Sequence, residues 1–257
     1  MLAIACFFVG HWLLSVFCQT FFLHRYGAHG MFSMSRGWER FFYLLTFFSQ
    51  GTSFLNPRAY AILHREHHAF SDTEKDPHSP YYHRNLFKMM WFTLKKYKAH
   101  VDRTAVTEPR FEGRAPEWPL IDELSNKLLV MGAFAAAYVS YYIAFAPHWG
   151  YYLLLPVHLM MGPIHGAIVN WCGHKYGYRN FETTRSDRSR NTLIWDFVTL
   201  GELFQNNHHK FGMSPKFAAR WFELDPTYPV IKVLAWLRVI RLSESAQRIR
   251  YPATATT

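Results

Sequence analysis

Two long uncharged runs constrain this chain more than any other feature. Residues 128–146, LLVMGAFAAAYVSYYIAFA, and 149–173, WGYYLLLPVHLMMGPIHGAIVNWCG, contain no Lys, Arg, Asp or Glu. Each approaches the roughly 20 residues that cross a bilayer, and together they predict a transmembrane hairpin. Lys127 and Lys175 flank its outer ends, whereas the turn around residues 147–149 carries no cation. The turn is therefore expected to face away from the cytoplasm.

Two further apolar stretches predict a third span and a shorter helix. Residues 1–23 are uncharged and lack the basic start of a cleavable signal peptide, so we expect a retained transmembrane helix. Residues 41–55 are short for a span and favour an interfacial or re-entrant helix. The charged segments 58–127 and 174–257 then form a cytoplasmic cap. The prediction is one all-α integral membrane domain over 1–257, with few transmembrane helices and a helical cap.

Composition narrows the partners of this domain. The formal charge is +10 although 50% of the residues are hydrophobic. A basic face beside apolar spans favours anionic lipid headgroups or a phosphorylated substrate over nucleic acid. Cys6, Cys18 and Cys172 have neither paired spacing nor a CxxC, so neither a disulfide framework nor a zinc ribbon is indicated. The one low-complexity tract is the C-terminal ATATT.

Four histidine-containing groups carry the chemistry. HREHH (64–68) places three histidines at i, i+3 and i+4, which is one helical face within a single turn. QNNHH (205–209) repeats this spacing, with Gln205 where the first copy has a histidine. In HRYGAH (24–29) the histidines are five apart, so the helix is expected to loosen near Gly27. In VNWCGHKYG, Asn170 precedes a histidine by four residues. If 41–55 does not cross the membrane, all four groups lie on its cytoplasmic side.

Clustering on one side predicts a metal site. Any single HxxHH in a basic protein is equally compatible with an exposed helical face. Eight clustered imidazoles would repel one another if all were cationic, and a metal removes that conflict by holding the rings neutral. Zinc sites close with about four ligands, often including thiolates, so eight or nine candidates without cysteine fit two nitrogen-rich ions. Imidazole suits iron, copper, nickel and zinc alike.

Other residues near these groups are weaker candidates. The carboxylates of Glu66, Asp72 and Asp76 are candidates to accept the distal ring N–H of ligating histidines, with a solvated loop as the alternative. We expect His11, His100, His148 and His158 to be surface, core or membrane-interface residues. Lesser candidates for contact with the ligands are His78, His83 and His165.

In this order the motifs resemble the membrane-bound fatty acid desaturases, specifically the acyl-CoA Δ9 type related to stearoyl-CoA desaturase, in a bacterial-looking form. The match runs from about Phe22 to Ile240. HRYGAH stands for the family's HxxxxH, and HREHHAFSDTEKDPHSP for its HRxHH with a following D-P-H segment. VNWCGHKYGYRNF stands for N-S-x-x-H-x-x-G-x-R, and LGELFQNNHH for G-E-G-x-H-N-x-H-H.

The resemblance implies a non-haem di-iron centre held almost wholly by histidine. Its ligands would be His24, His29, His64, His67, His68, His174, His208 and His209, with Asn170 acting through a water. The family's ninth histidine falls on Gln205, a weaker donor that would ligate directly, hydrogen-bond an iron-bound water or leave a position open. Other branches of the superfamily also carry glutamine here, so the change bears on the ninth ligand and the regiochemistry rather than on activity itself.

A second departure concerns the N-terminus. The resembled enzymes have two spans before the first histidine motif, whereas this chain has room for one. Either this branch lacks a helix, or the protein begins upstream of Met1.

The implied reaction removes two hydrogens from adjacent methylenes of an acyl-CoA or lipid-linked acyl chain. It leaves a cis double bond at Δ9 while O2 is reduced to water. Such C–H bonds have no useful acidity, so the oxidising power belongs to the metal and O2. The chain has no haem, flavin or iron–sulfur motif, so electrons are expected from a ferredoxin, a cytochrome b5-like carrier or a flavoprotein reductase. The expected location is a bacterial inner membrane, with the metal on the cytoplasmic side.

Basic residues beside the motifs are candidates for binding the substrate's headgroup. They are Arg25, Arg65, Lys175 and Arg179, and anchoring of the cap is the alternative role. The segment YPVIKVLAWLRVIRL (228–242) mixes apolar and basic residues at helical spacing and predicts an interfacial helix.

Three rival functions remain open at this point. A membrane hydroxylase or ketolase uses similar motifs, although the D-P-H and N-W-C-G-H segments favour a desaturase. A histidine-rich metal transporter predicts ligands at membrane depth, whereas these lie at or beyond span ends, with His165 the exception. A structural membrane protein with a vestigial site would bind little iron.

Overall fold

The computed structural model describes residues 1–252, so the ATATT tract lies outside the described residues. The described residues are mostly helical, and one short pair of strands joins the segment after the first helix to the segment near the C-terminus. The α-helices are α1 Leu2–Cys18, α2 Arg36–Gln50, α3 Pro57–Phe70, α4 Leu86–Val101, α5 Pro109–Glu112, α6 Pro119–Ser125, α7 Leu128–Phe145, α8 Leu155–Leu159, α9 Met161–Lys175, α10 Gln205–Lys210, α11 Thr227–Trp236 and α12 Glu244–Arg248. A π-helical segment covers Gln19–Ala28, 3-10 turns cover Gly51–Ser53 and Trp149–Leu154, and the strands are β1 Phe32–Met34 and β2 Ile240–Leu242.

Two helices in the described part of the chain are long and apolar enough to cross a membrane, Leu2–Ala28 and α7. The second arm of the predicted hairpin is not one straight helix, because Trp149–Leu159 meets α9 at an angle of 74°. Pro163 lies in the first turn of α9, and in a continuous helix its ring would clash with the carbonyl of Leu159, the last residue of α8. This pair is either a broken span or a re-entrant loop. At 15 residues, α2 is shorter than a span, and its interfacial or re-entrant placement stays a prediction.

The first span continues into the π-helical segment without a break. The N–H of His29 donates to the carbonyl of His24 at 3.1 Å, so residues five apart lie one turn apart. The expected loosening is real, but it begins at Gln19 rather than near Gly27. A Cβ at Gly27 would lie 3.2 Å from the Phe22 carbonyl and 3.3 Å from Pro116 Cδ. Glycine here permits close packing rather than a break.

The two strands pair antiparallel, with Phe32 opposite Leu242 and Met34 opposite Ile240. This pairing corrects the helix predicted over 228–242, because α11 ends at Trp236 and the chain turns through Arg238 at φ 60°. The strands close one edge of an aromatic core in which Phe21, Phe22 and Phe42 pack together. That core holds the C-terminal segment against the first span.

His11 of α1 and His158 of α8 form a hydrogen-bonded chain. The Ser49 carbonyl lies 2.8 Å from His11 Nε2 and can only accept, so that nitrogen carries the proton and His11 Nδ1 accepts. His158 Nδ1, 2.6 Å away, must then donate, and its Nε2 accepts from the Tyr142 hydroxyl at 2.9 Å. All four ring nitrogens of His11 and His158 therefore have a hydrogen-bond partner. His11 and His158 are therefore satisfied core residues, as predicted.

Candidate metal centre

Four elements bring the sequence motifs together: the π-helical segment, α3, α9 and α10. The start of α3 is defined by Asn56, whose side chain accepts the N–H of Ala59 at 2.9 Å, and by Pro57 in the first turn. Because α3 packs along the π-helical segment, its histidines face His24 and His29. The eight predicted histidine ligands thus share one site.

Buried amides hold the short helix α10. Asn206 Oδ1 accepts the N–H groups of Asn180 at 2.8 Å and Phe181 at 2.9 Å. Asn207 Nδ2 donates to the Glu223 carboxylate at 2.8 Å and to the Phe217 carbonyl at 2.9 Å. A helix of six residues has little stability of its own, so these contacts fix its orientation. The two asparagines of QNNHH therefore aim the two histidines that follow.

The histidines divide into two groups, in each of which one ring nitrogen per residue lies within 4.8 Å of the others. The five-histidine group contains His24, His29, His64, His68 and His208, and the three-histidine group contains His67, His174 and His209. Consecutive helical residues point about 100° apart, so adjacent histidines serve different groups. This explains the HH pairs at 67–68 and 208–209.

Buried carboxylates stand behind four of these rings. Nδ1 of His67 lies 2.9 Å from Asp76, and that of His174 lies 2.8 Å from Asp72. Nδ1 of His209 lies 3.2 Å from Asp187, and that of His24 lies 2.6 Å from Glu202. An ionised carboxylate only accepts, so each Nδ1 carries a proton, and in the neutral ring Nε2 keeps its lone pair.

The fixed tautomers show that the site fits a cation. Nε2 of His67 and Nε2 of His209 are 3.2 Å apart, yet both are acceptors once their Nδ1 atoms donate to carboxylates. Two neutral rings so arranged direct lone pairs at each other and form no hydrogen bond. In the five-histidine group, Nε2 of His208 lies 3.0 Å from Nε2 of both His24 and His68. A metal ion between such nitrogens resolves this repulsion, and nitrogen-only donors are suited to a transition metal.

Burial sets the protonation of the five-histidine group. Burial, reinforced by the neighbouring imidazoles, lowers the pKa of His29, His64, His68 and His208 well below 6.5. These rings are neutral at pH 7, as metal ligands must be.

In the three-histidine group, nearby carboxylates oppose the effect of burial on the histidine pKa values. Burial acts to lower the pKa of His67, but the carboxylates of Asp76, Asp72 and Asp187 together outweigh it and the pKa is raised. At His209 burial prevails over Asp187 and lowers the pKa to about 4. Burial acts to raise the pKa of Asp72, Asp76 and Asp187, yet the partner histidines lower it in each case. The carboxylates therefore stay ionised behind the rings.

Gln205 lies against the backbone beside the three-histidine group. Its Nε2 donates to the Glu202 carbonyl at 2.7 Å, which fixes the orientation of the amide. Among the described residues, none donates a hydrogen bond to its Oε1. A Cβ on Gly173 would lie 2.4 Å from Gln205 Cγ, so the glycine before His174 makes room for this side chain. Direct ligation by Gln205 stays a prediction.

Two carboxylates were missed by sequence reasoning, and one proposed carboxylate is misplaced. Glu202 belongs to the LGELFQNNHH motif, which was the available signal, whereas Asp187 lies in a loop with no pattern. The expectation for Glu66 is not met, because its carboxylate lies 3.7 Å from His100 Nε2 and faces α4. Asn170 lies one helical turn before His174, half-buried, and its ligation through a water stays a prediction.

The structure corrects two of the four basic candidates. Arg25 is fully buried, pairs with Asp225 at 2.9 Å and stacks over Phe217 at 3.8 Å, so it cannot reach a headgroup. The guanidinium of Arg65 donates to four backbone carbonyls at 2.8–2.9 Å, which fastens α3 to the first motif and to α5.

The other two basic candidates remain free of such internal roles. Lys175 stacks over Trp171 at 4.0 Å, and the exposed Arg179 bonds to Thr183 at 2.6 Å. Their contact with substrate stays a prediction.

The three lesser histidine candidates have different surroundings. His78 is buried with its ring 4.4 Å from that of His67, and neither ring nitrogen has a partner among the described residues. His83 packs against Phe92 at 4.9 Å and His165 against Trp12 at 4.4 Å. Only His78 reaches the centre.

A surface groove of about 490 Å³ opens beside the five-histidine group. It is lined by His29, Arg65, His68, Ala69, Arg110, Phe111, Gly212 and Met213. Two candidate ligands, His29 and His68, are therefore accessible from outside the protein through this groove.

Comparison with known proteins agrees with this geometry. The acyl-CoA 5-desaturase AL21 of Anemone leveillei is 29% identical over 232 residues, covering 86% of this chain and 65% of that protein. The sn-1 stearoyl-lipid 9-desaturase of Anabaena variabilis is 25% identical over 251 residues, covering 92% and 83%. That of Synechocystis sp. is 28% identical over 223 residues, covering 85% and 64%. The chain thus spans about two thirds of the length of two of these relatives. A family model described as fatty acid desaturase matches residues 1–236, and the chain therefore belongs to the fatty acid desaturase family, whose members are oxidoreductases acting on acyl chains.

Proposed function

We propose that this protein is an O2-dependent desaturase that introduces a cis double bond at Δ9 of a saturated acyl chain, carried by CoA or by a lipid. The family, the order of the four histidine motifs and the two stearoyl-lipid 9-desaturases among the relatives support it. The observation that carries it is the pair of buried histidine groups, in one of which the carboxylate-fixed Nε2 atoms of His67 and His209 face one another. A bound cation between these lone pairs makes that arrangement favourable.

Two non-haem iron ions are the proposed occupants. The five-histidine group would hold one, and the three-histidine group would hold the other with Asn170 through a water and Gln205 beside it. When bound, the irons and O2 supply the oxidising power that no side chain has toward an unactivated methylene. The protein's share is to fix the imidazoles through the carboxylates, to keep water away by burial and to hold one pair of methylenes in place.

Electrons must enter from a separate protein. A ferredoxin, a cytochrome b5-like carrier or a flavoprotein reductase is the proposed donor, because the chain carries no redox motif besides the histidines. The centre is proposed to lie on the cytoplasmic side of a bacterial inner membrane. Two of the four elements that carry ligands, α3 and α10, are not candidate spans, which argues against a transport path through the bilayer.

The fatty-acid profile of host cells tests this proposal. Cells would express the native chain, His67→Ala or His158→Phe, and double bonds would be located by gas chromatography and mass spectrometry. We expect new Δ9 unsaturation with the native chain and with His158→Phe, and none with His67→Ala. A hydroxylated product would assign the rival hydroxylase, and an unchanged profile despite iron in the purified protein and a supplied electron donor would reject the proposal.

A further inference from the structure

One segment of the cap has an apolar outer surface. In Ile194–Val198, the side chains of Trp195 and Phe197 are 63% and 56% exposed, and those of Ile194 and Val198 are also exposed. The one polar residue, Asp196, is fully buried. Its carboxylate accepts the backbone N–H groups of Thr199 at 2.8 Å, Gly201 at 3.0 Å and Leu203 at 2.9 Å. The polar group thus holds the turn from within, and only apolar groups face outward.

The segment is fastened to a neighbouring stretch of the chain that extends the same surface. The N–H of Leu224 donates to the Ile194 carbonyl at 2.9 Å, and the N–H of Asp196 donates to the Leu224 carbonyl at 3.3 Å. Leu224 is itself exposed. We call Ile194, Trp195, Phe197, Val198 and Leu224 the apolar rim. Because backbone hydrogen bonds support it on both sides, its side chains cannot simply fold inward.

A hydrogen bond places the apolar rim at a defined height on the first span. Trp12 Nε1 donates to the Val198 carbonyl at 2.8 Å. The exposed apolar face of α1 includes Val9 and ends at Leu13 and Leu14, and the next two residues are buried. Trp12 therefore stands at the last lipid-facing turn, and tryptophan is enriched at that level of a membrane. The apolar rim continues the lipid-facing surface of α1 sideways.

We propose that the apolar rim inserts into the interfacial zone of the bilayer beside α1. The segment between two of the candidate ligands, His174 and His208, then returns to the membrane instead of staying wholly in the cap. Exposed aromatic and aliphatic side chains without an outward charge fit the boundary between headgroups and acyl chains. The lipid surface is the partner because the rim is continuous with the face of α1 that lipid must cover. This inference does not require the proposed desaturation.

Insertion has a consequence for the centre. Asp196 holds the N–H groups of Gly201 and Leu203, which flank Glu202, the carboxylate behind His24. The membrane contact and the five-histidine group are thus joined by one short hydrogen-bonded turn. Contact with the bilayer would therefore help to hold the histidines of that group in position.

Spin-label accessibility tests the proposal. Nitroxides would be attached to Trp195→Cys and Phe197→Cys in the full chain with Cys6, Cys18 and Cys172 replaced by Ala, reconstituted in phosphatidylcholine and phosphatidylglycerol vesicles. Val106→Cys is the matched control, because that residue is fully exposed in a segment that also contains Asp102, Arg103 and Glu108. We expect O2 to relax labels 195 and 197 more than a water-soluble nickel chelate does, and the reverse at 106. Labels at 195 and 197 as open to the chelate as that at 106 would overturn insertion, and labels shielded from both reagents would assign the rim to protein contact.

A second measurement avoids cysteine replacement. Phospholipids brominated near the headgroup quench tryptophan that lies at that depth. The native chain should lose more fluorescence than Trp195→Phe in such vesicles, whereas equal fractional quenching of the two would contradict the proposal.

Discussion

Buried histidines occur in two regions of this protein, and their ring nitrogens are used in opposite ways. In α1 and α8, His11 and His158 form a chain from the Tyr142 hydroxyl to the Ser49 carbonyl in which every donor meets an acceptor. In the centre, carboxylates take the Nδ1 protons, and the Nε2 atoms of His67 and His209 face each other as two acceptors. Burial and proximity are common to both regions. The hydrogen-bond partner of the second ring nitrogen makes the difference. It decides whether two neighbouring imidazoles satisfy each other by a hydrogen bond or leave lone pairs that can bind a cation.

The largest expected effect separates the two regions directly. His67→Ala removes a nitrogen from the three-histidine group and should abolish desaturation with loss of about one of two bound irons. The matched change His158→Phe should keep both irons and cost about 1–3 kcal/mol of stability, because the Tyr142 hydroxyl loses its acceptor. Iron by plasma mass spectrometry and thermal unfolding in detergent measure both. Equal iron loss in the two variants would contradict the distinction.

Removal of a carboxylate tests whether tautomer fixation matters. Asp72→Asn leaves His174 Nδ1 without its ionised acceptor, and such changes cost about 10–100-fold in metal affinity. Chelator competition followed by iron content measures the loss. Glu66→Gln is the control, since Glu66 contacts His100 rather than a ligand. A loss in the control as large as that in Asp72→Asn would show that charge alone, and not contact, matters.

A substitution at Gln205 is expected to have a smaller effect, and to strengthen iron binding rather than weaken it. Gln205→His would place an imidazole beside the three-histidine group, and we expect iron to bind about tenfold more tightly, equivalent to about 1.4 kcal/mol. Gly173→Ala should displace Gln205, because the added Cβ would lie 2.4 Å from its Cγ. Dissociation rates of iron in excess chelator compare the three proteins. Identical rates would place Gln205 outside the metal's coordination.

The last expected effect is that of pH on the stability of the metal-free protein. His29, His64, His68 and His208 have a folded-state pKa well below 6.5, so below about pH 6.5 the unfolded chain binds more protons than the folded one. Stability should therefore fall as pH drops from 7 to 5, by at most about 1.4 kcal/mol per pH unit for each group. The raised pKa of His67 opposes this, since its contribution is present at low pH and is lost as pH rises through that pKa.

Thermal unfolding at pH 7, 6 and 5 measures the pH effect, and added iron should flatten it. His158→Phe serves as the comparison, because His11 and His158 lie apart from the centre. A stability that rose on acidification would mean that His67 outweighs the five-histidine group.

Much of the site was readable from the chain alone. The i, i+3, i+4 spacing in HREHH and QNNHH predicted shared helical faces, and α3 and α10 confirm the helices. The uncharged run at 128–146 predicted α7 to within a residue. These features depend on local periodicity and on the length of apolar runs, which a sequence displays directly.

Tertiary packing decided the rest. Nothing local indicates which histidines His67 and His68 each meet, that Asp187 stands behind His209, or that Arg25 is buried against Asp225. The bend of 74° in the last apolar pair and the π-helical spacing of His24 and His29 likewise depend on how neighbouring elements pack. The sequence by itself determined that this chain is a membrane protein with histidines on common helical faces, because periodicity is a property of neighbours in the chain. Which imidazoles meet, and which carboxylate fixes each tautomer, was decided by tertiary contacts such as those of His67 with His209 and of His174 with Asp72, which join residues more than a hundred positions apart, and only the folded structure supplies those.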